Sequence, residues 1–173
     1  MILGMSTDAF TSLHVVISLV AIASGLIVLL GMLGSQRMAG LTALFLATTI
    51  LTSATGFLFP ITGFTPAIGV GVISLVVLVI VLIALYGRHL TGAWRWIYVV
   101  AALIALWFNV FVLIVQAFEK VALFNPLAPQ VGPPFPEPVN THFAIAQGAA
   151  LVILLVLGLI AAFKFRPPSQ RSA

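Results

Sequence analysis

The sequence contains no cysteine and very few charged residues. Without cysteine it can form no disulfide framework, no cysteine zinc site and no thiol nucleophile. Only 6% of its 173 residues are charged and 62% are hydrophobic, whereas soluble domains are about 25% charged. A soluble fold of this size could not bury so much apolar surface. The composition therefore excludes a soluble enzyme, a disordered chain and a DNA-binding domain, and it indicates an integral membrane protein.

Acidic residues are the scarcer of the two charged groups. Three Asp or Glu stand against seven Lys or Arg, giving a formal net charge of +4. In a soluble protein this balance would suggest a nucleic-acid partner, but no basic cluster here is long enough to follow a phosphate backbone. We therefore expect the chain to be embedded in a lipid bilayer and to have no nucleic-acid partner.

Catalytic motifs are also missing. The sequence has no phosphate-binding loop, nucleophile elbow, zinc-protease motif or dinucleotide fingerprint. No two carboxylates lie three or four residues apart, and no lysine lies in the middle of an apolar run. These absences favour a non-enzymatic protein.

Long apolar runs are abundant, and five of them approach the roughly 20 residues that a helix needs to cross a bilayer. We expect an all-α, polytopic membrane bundle forming a single domain over residues 1–173. The first run is not a cleavable signal peptide, because nothing basic precedes it and its apolar stretch is too long. The predicted spans are residues 10–33, 41–59, 67–86, 94–118 and 142–163.

The distribution of Lys and Arg predicts the orientation of the bundle. Six of the seven basic residues fall on one side of a five-span chain, and only Lys120 falls on the other, together with all three acidic residues. Basic residues are retained in the cytoplasm, so we expect the N-terminus outside and the C-terminus in the cytoplasm. The six residues are Arg37, Arg88, Arg95, Lys164, Arg166 and Arg171.

A proline-rich loop over residues 120–141 separates the last two spans on the outer side. It holds six of the ten prolines, which resist helix formation and favour extended structure. It also carries several large apolar side chains, unlike a free linker. The loop is predicted to be a lid or docking surface over the outer end, or alternatively a stiff connector on the headgroups.

Polar side chains inside the spans recur at steps of three or four residues, so they share helix faces. In the fourth span, for example, Asn109 and Gln116 lie on one face. At a rise of about 1.5 Å per residue, Asn109 and Thr48 fall near the midplane, and the other polar side chains fall in the outer half or at the outer rim. This distribution predicts an outward-facing polar pocket. Ordinary helix packing and hydroxyl bonds to the helix backbone are the alternative. The predicted lining is Ser18, Thr48, Thr52, Thr55, Asn109, Gln116, Glu119 and Gln147.

Two histidines are candidate cofactor ligands. His14 and His142 lie near the outer ends of the first and fifth spans, at the level of Glu119. Two imidazoles and a carboxylate could hold a divalent metal, and two imidazoles from different helices could be axial ligands of a b-type haem. No spacing motif selects either, and ordinary interfacial histidines remain the alternative.

Several shorter runs carry a resemblance to known sequences. They are residues 55–60 (TGFLFP), 94–98 (WRWIY), 108–118 (FNVFVLIVQAF), 127–129 (LAP) and 133–135 (PPF). They resemble a family of small, uncharacterised bacterial inner-membrane proteins. The resemblance implies the same five-span layout and a multi-pass location in the bacterial inner (plasma) membrane. It implies no activity, so it transfers no catalytic residue.

Three functions fit these features. The first is a non-enzymatic inner-membrane protein that binds a small ligand in the outward pocket, or serves as an accessory subunit of a larger membrane complex or a homo-oligomer. The second is a haem- or metal-binding redox protein using His14 and His142. The third is a small transporter, although the inner half of the spans carries almost no polar residue.

Overall fold

The computed structural model describes residues 1–60, 63, 66–124 and 141–166. Within these ranges the chain is helical, with no strand beyond an isolated bridge between Ile2 and Met5. Five helices are each long and apolar enough to cross a membrane, which confirms the all-α, five-span prediction. The helices are α1 (Thr7–Leu33), α2 (Ala39–Gly56), α3 (Pro66–Leu82), α4 (Trp94–Lys120) and α5 (Thr141–Lys164).

The helices alternate in direction and pack around α1 and α4. α1 packs most extensively against α2 and also contacts α4 and α5, while α3 contacts α2 and α4. α1 begins at Ser6, whose hydroxyl oxygen accepts a bond from the backbone N–H of Ala9 at 3.2 Å. This N-cap satisfies one of the amide groups that the first turn leaves without an intrahelical partner.

Close approach of the helices depends on a glycine in α1. A Cβ atom placed on Gly25 would lie 2.8 Å from side-chain atoms of both Phe45 in α2 and Leu106 in α4. A side chain at this position would force Phe45 or Leu106 to shift, so glycine favours the close approach of the three helices. The cavity left at this junction measures about 10 Å³, at the lower limit for a single water molecule, so the centre of the bundle is tightly packed.

One end of the bundle, which we call the basic end, carries five of the six basic residues that the structure describes: Arg37, Arg88, Arg95, Lys164 and Arg166. Hydrogen bonds join parts of the chain that are distant in sequence at this end. Nη1 of Arg95 donates to the carbonyl oxygen of Ala162 (3.1 Å), in the last turn of α5, and to that of Phe165 (2.5 Å), the residue after the helix. Carbonyl groups at a helix C-terminus have no partner within the helix. The hydroxyl of Ser35, between α1 and α2, donates to the carbonyl oxygen of Arg166 and accepts from its backbone N–H, both at 2.9 Å.

Several helix boundaries differ from the predicted spans by one to three residues, and two of the differences change the backbone geometry. α2 ends at Gly56 rather than at residue 59. The backbone N–H groups of Phe57 and Leu58 instead donate to the carbonyl oxygens three residues earlier, those of Ala54 and Thr55. The third span leaves α-helical geometry after Leu82 and finishes as a π-helical turn, Ile83–Gly87. Hydropathy alone cannot register either change, because the side chains stay apolar across both boundaries.

Two predicted features lie wholly or largely outside the described residues. Residues 121–124 of the proline-rich loop follow α4 as a short turn, and residues 125–140 are not described. Arg171, in the C-terminal tail, is also outside the described ranges.

The helices alone do not establish which end of the bundle faces the cytoplasm, so the orientation stays a prediction.

Candidate functional site

Asn109, the most central polar residue of α4, faces α2. Its side-chain amide donates to the hydroxyl oxygen of Thr49 and to the carbonyl oxygen of Ala105, both at 3.2 Å. Thr49 is fully buried. The partner on α2 is therefore Thr49, on the face next to the predicted Thr48, and the pair acts as a hydrogen-bonded bridge between two helices.

His14 is joined to α2 near the opposite end of the bundle from the basic end. Its Nδ1 lies 2.8 Å from the hydroxyl oxygen of Thr55, and its ring makes an edge-on contact with Phe59 at 5.3 Å between centroids. The Thr55 hydroxyl donates its single proton to the carbonyl oxygen of Leu51 at 2.6 Å. With the proton placed in this way the hydroxyl accepts from Nδ1–H, and a neutral His14 ring would then carry its lone pair on Nε2.

Two other predicted hydroxyls bond to their own helices. Ser18 donates to the carbonyl oxygen of His14 and Thr48 to that of Leu44, each at 2.7 Å. Such bonds satisfy a hydroxyl inside a membrane without any ligand. Thr52 differs, because its hydroxyl oxygen is buried and has no hydrogen-bond partner among the described residues.

The amide of Gln147 ties α5 to α4. Its Nε2 donates to the carbonyl oxygen of Phe111 at 3.1 Å. Its Oε1 is buried without a hydrogen-bond partner in the described part of the chain, and so is the indole nitrogen of Trp107 on α4. A buried donor and a buried acceptor on neighbouring helices are thus left unused.

The remaining predicted residues lie toward the end of α4 and the start of α5. Gln116 is half-buried, whereas Glu119 and His142 are exposed. Among the residues described, no three His, Asp or Glu side chains form a group that could hold a metal ion. The proposed set of His14, His142 and Glu119 is therefore not assembled in this conformation, and the haem and metal assignments stay predictions.

The two best-defined cavities lie away from the predicted pocket. The 10 Å³ cavity lies between α1, α2 and α4, and a groove of about 370 Å³ lies between α3 and α4. Neither is lined by any of the eight residues predicted from the polar pattern. The outward pocket therefore stays a prediction.

Sequence reasoning did not single out two of the interhelical polar contacts. Thr49 takes part in the bond to Asn109, and Ser53 donates to the buried Ser74 on α3 at 3.3 Å. Thr49, Ser53 and Gly56 share one face of α2, and this repeat was the available signal. It could not be given a role without knowing which face of α2 meets α4.

Comparison with known proteins identified no relative of this chain. A scan against protein-family models and searches of curated proteins and of solved structures found no significant match. What is established is a five-helix bundle of membrane-span length whose polar side chains largely bond to its own helices.

Proposed function

We propose that this chain is a non-enzymatic accessory subunit of a larger membrane complex, and that one face of α5 binds a transmembrane helix of that complex. In the same proposal the protein belongs to the small bacterial inner-membrane proteins that it resembles, with its N-terminus outside and its C-terminus in the cytoplasm.

The observation that carries the proposal is the small buried fraction of α5. Only 11% of its central apolar window is buried inside the chain, compared with 44% for α1. A helix that contributes so little to its own bundle has most of its surface available to lipid or to another helix. The positions on this surface include Ala144, Gly148 and Val152, all exposed.

The outer half of this surface suits a helix better than lipid. No atom of the described residues lies within 4 Å of a Cβ placed on Gly148, and Ala144 precedes it by four residues. Small residues at this spacing let two helix backbones approach closely in a membrane. We call the exposed positions Ala144, Gly148 and Val152 the α5 face.

The internal hydrogen bonds support a structural role over transport. Asn109 and His14 each bond to α2, and Gln147 bonds to α4. Polar groups used in this way hold helices at fixed positions and leave fewer groups to line a pathway. The bonds of Arg95 to α5 close the basic end in the same manner.

A photo-crosslinking experiment in the native membrane tests the proposal. A photoreactive amino acid at Val152 is expected to give a discrete adduct, and the same group at the exposed Val76 of α3 is expected to give none. Gly148→Leu should abolish the adduct because it fills the space for the approaching backbone. Gly40→Leu should leave it intact, because no described residue lies within 4 Å of a Cβ at that glycine either.

The mass of the adduct identifies the partner. An adduct of twice the 18.3 kDa chain mass would assign the α5 face to a homo-oligomer in place of a complex with other proteins. Absence of any adduct at Val152, or equal adducts at Val152 and Val76, would overturn the proposal.

A haem- or metal-binding function is the second candidate, favoured by the bond between His14 and Thr55. With Nδ1–H donating to the Thr55 hydroxyl, Nε2 would carry the lone pair, and this is the form in which imidazole binds a metal. His142 would be the second ligand and would have to approach from α5. Protein purified from cells supplied with haem should then show a Soret band that His14→Ala and His142→Ala each remove, and no band in the wild type would end this candidate.

A further inference from the structure

The groove between α3 and α4 is apolar and begins at the basic end. It has a volume of about 370 Å³ and is lined by hydrocarbon and one indole ring. Along α4 the lining runs from Trp96 to Ile104, which is about 12 Å at the rise of an α-helix. This length is close to the roughly 15 Å thickness of hydrocarbon in one leaflet. The lining residues are Val77, Ile80, Trp96, Ile97, Val100, Ala101 and Ile104.

An arginine lies where the two helices of the groove are joined. The backbone N–H of Arg88 donates to the carbonyl oxygen of Ile83 at 2.8 Å, which completes the π-helical turn at the end of α3. The guanidinium carbon of Arg88 lies 5.3 Å from the centre of the Trp94 ring, at the start of α4. This contact holds the positive charge between the ends of the same two helices, and Arg88 is exposed.

The surroundings of Arg88 are positive. Five of the six described basic residues lie at this end, whereas the two acidic residues that the structure describes, Asp8 and Glu119, lie at the opposite end. Trp96, at the same end of the groove, is 36% exposed, and an indole ring in that position suits the boundary between headgroups and acyl chains. The apolar groove therefore begins at the end of the bundle where the basic residues, Arg88 among them, are concentrated.

We propose that the groove binds one acyl chain of an anionic phospholipid from the leaflet at the basic end, with its phosphate held by the guanidinium of Arg88. Guanidinium groups bind phosphate oxygens through paired, charge-assisted hydrogen bonds. The cation–π contact with Trp94 reduces the conformational freedom that Arg88 would lose on binding. The inference does not depend on the proposed accessory role or on which leaflet faces the cytoplasm.

Native mass spectrometry of the full chain in detergent tests the site with defined lipids. We expect phosphatidylglycerol to bind about fivefold more tightly than phosphatidylcholine with the same chains, since one basic group near an anionic headgroup contributes about 1 kcal/mol and about 1.4 kcal/mol is tenfold in affinity. Arg88→Gln should remove most of this preference. Arg37→Gln, an exposed basic residue of the same end but in the loop between α1 and α2, should keep it.

Two further variants separate the apolar groove from the charge of Arg88. Val100 lines the groove and is 49% exposed, so Val100→Phe should fill the groove from its open side and weaken binding of both lipids. Val76→Phe, at an exposed position of α3 outside the lining, should change neither. In a second measurement, phosphatidylglycerol with brominated chains should quench the tryptophan emission of the wild type, and Trp96→Phe should remove the part of the quenching that comes from the groove.

Several results would overturn the site. Equal affinity for the two lipids would remove the role of charge, and equal losses in Arg88→Gln and Arg37→Gln would show a diffuse attraction to the whole basic end. Unchanged binding in Val100→Phe would show that no chain occupies the groove. Full competition by glycerol phosphate would show a site for a free phosphate in place of a lipid.

Discussion

Replacing Thr49 and Thr52 separately by valine distinguishes a packed polar bridge from a ligand pocket. The two threonines lie on α2, one turn apart in depth, and the substitution has a similar shape at both. Thr49 is fully buried and accepts a hydrogen bond from Asn109 at 3.2 Å, whereas the buried hydroxyl oxygen of Thr52 has no hydrogen-bond partner among the described residues.

The expected effects on stability have opposite signs. Thr49→Val removes an interhelical hydrogen bond inside the membrane, and such bonds contribute about 0.6 kcal/mol on average and at most about 1.7 kcal/mol. The loss is limited because Asn109 keeps its second bond to the carbonyl oxygen of Ala105. Thr52→Val removes a hydroxyl that is buried without compensation, so it should be neutral or stabilise the bundle by up to about 1 kcal/mol.

The assay is reversible unfolding of the purified chain in mixed micelles, with helicity as the signal. A double-mutant cycle of Thr49→Val with Asn109→Ala isolates the pairwise energy. A coupling energy of zero would show that the bond does not form. A loss in Thr52→Val as large as that in Thr49→Val would show that the Thr52 hydroxyl has a bound partner, which would favour the predicted polar pocket over simple packing.

Three further substitutions test the packing and the basic end. Arg95→Gln should destabilise the bundle by about 1.5–3 kcal/mol, because it removes a charged donor to two carbonyl oxygens at the end of α5. An unchanged free energy of unfolding would mean that those carbonyl groups are satisfied without Arg95. Ser35→Ala should increase hydrogen exchange at the end of α5, since it removes both bonds to Arg166, and unaltered exchange there would contradict this contact. Gly25→Ala should cost about 1–3 kcal/mol through overpacking, because its Cβ would lie 2.8 Å from Phe45, whereas Gly40→Ala has open space and should not lower the unfolding midpoint. Equal losses at both glycines would contradict the packing explanation, because the helix backbone itself favours alanine over glycine.

The positions of the polar side chains show where sequence reasoning stops. A spacing of three or four residues correctly places residues on one face of a helix, but it does not say which neighbour that face meets. Asn109 therefore has a partner on the face of α2 next to the predicted one, and His14 is joined to Thr55 while His142 is exposed on α5. The distance between two helices depends on side chains from both, so the sequence of either one alone cannot give it.

The α3–α4 groove illustrates the same limit. Its lining residues are apolar, so their sequence pattern matches that of any other membrane-facing surface. The π-helical turn at Ile83–Gly87 and the position of Arg88 over Trp94 are consequences of how α3 ends and α4 begins. Neither changes the hydropathy of the chain.

The sequence by itself determined that this protein is a chain of five apolar helices with its basic residues concentrated at one end. It could do so because the cost of placing backbone and charged groups in hydrocarbon depends on composition and length, which are local properties. Only the tertiary structure decided which polar groups bond to each other, how closely α1 approaches α2 and α4, and which face of α5 stays uncovered. Those features depend on the fit between side chains far apart in the sequence, and between apolar surfaces in a membrane that fit is set by packing geometry.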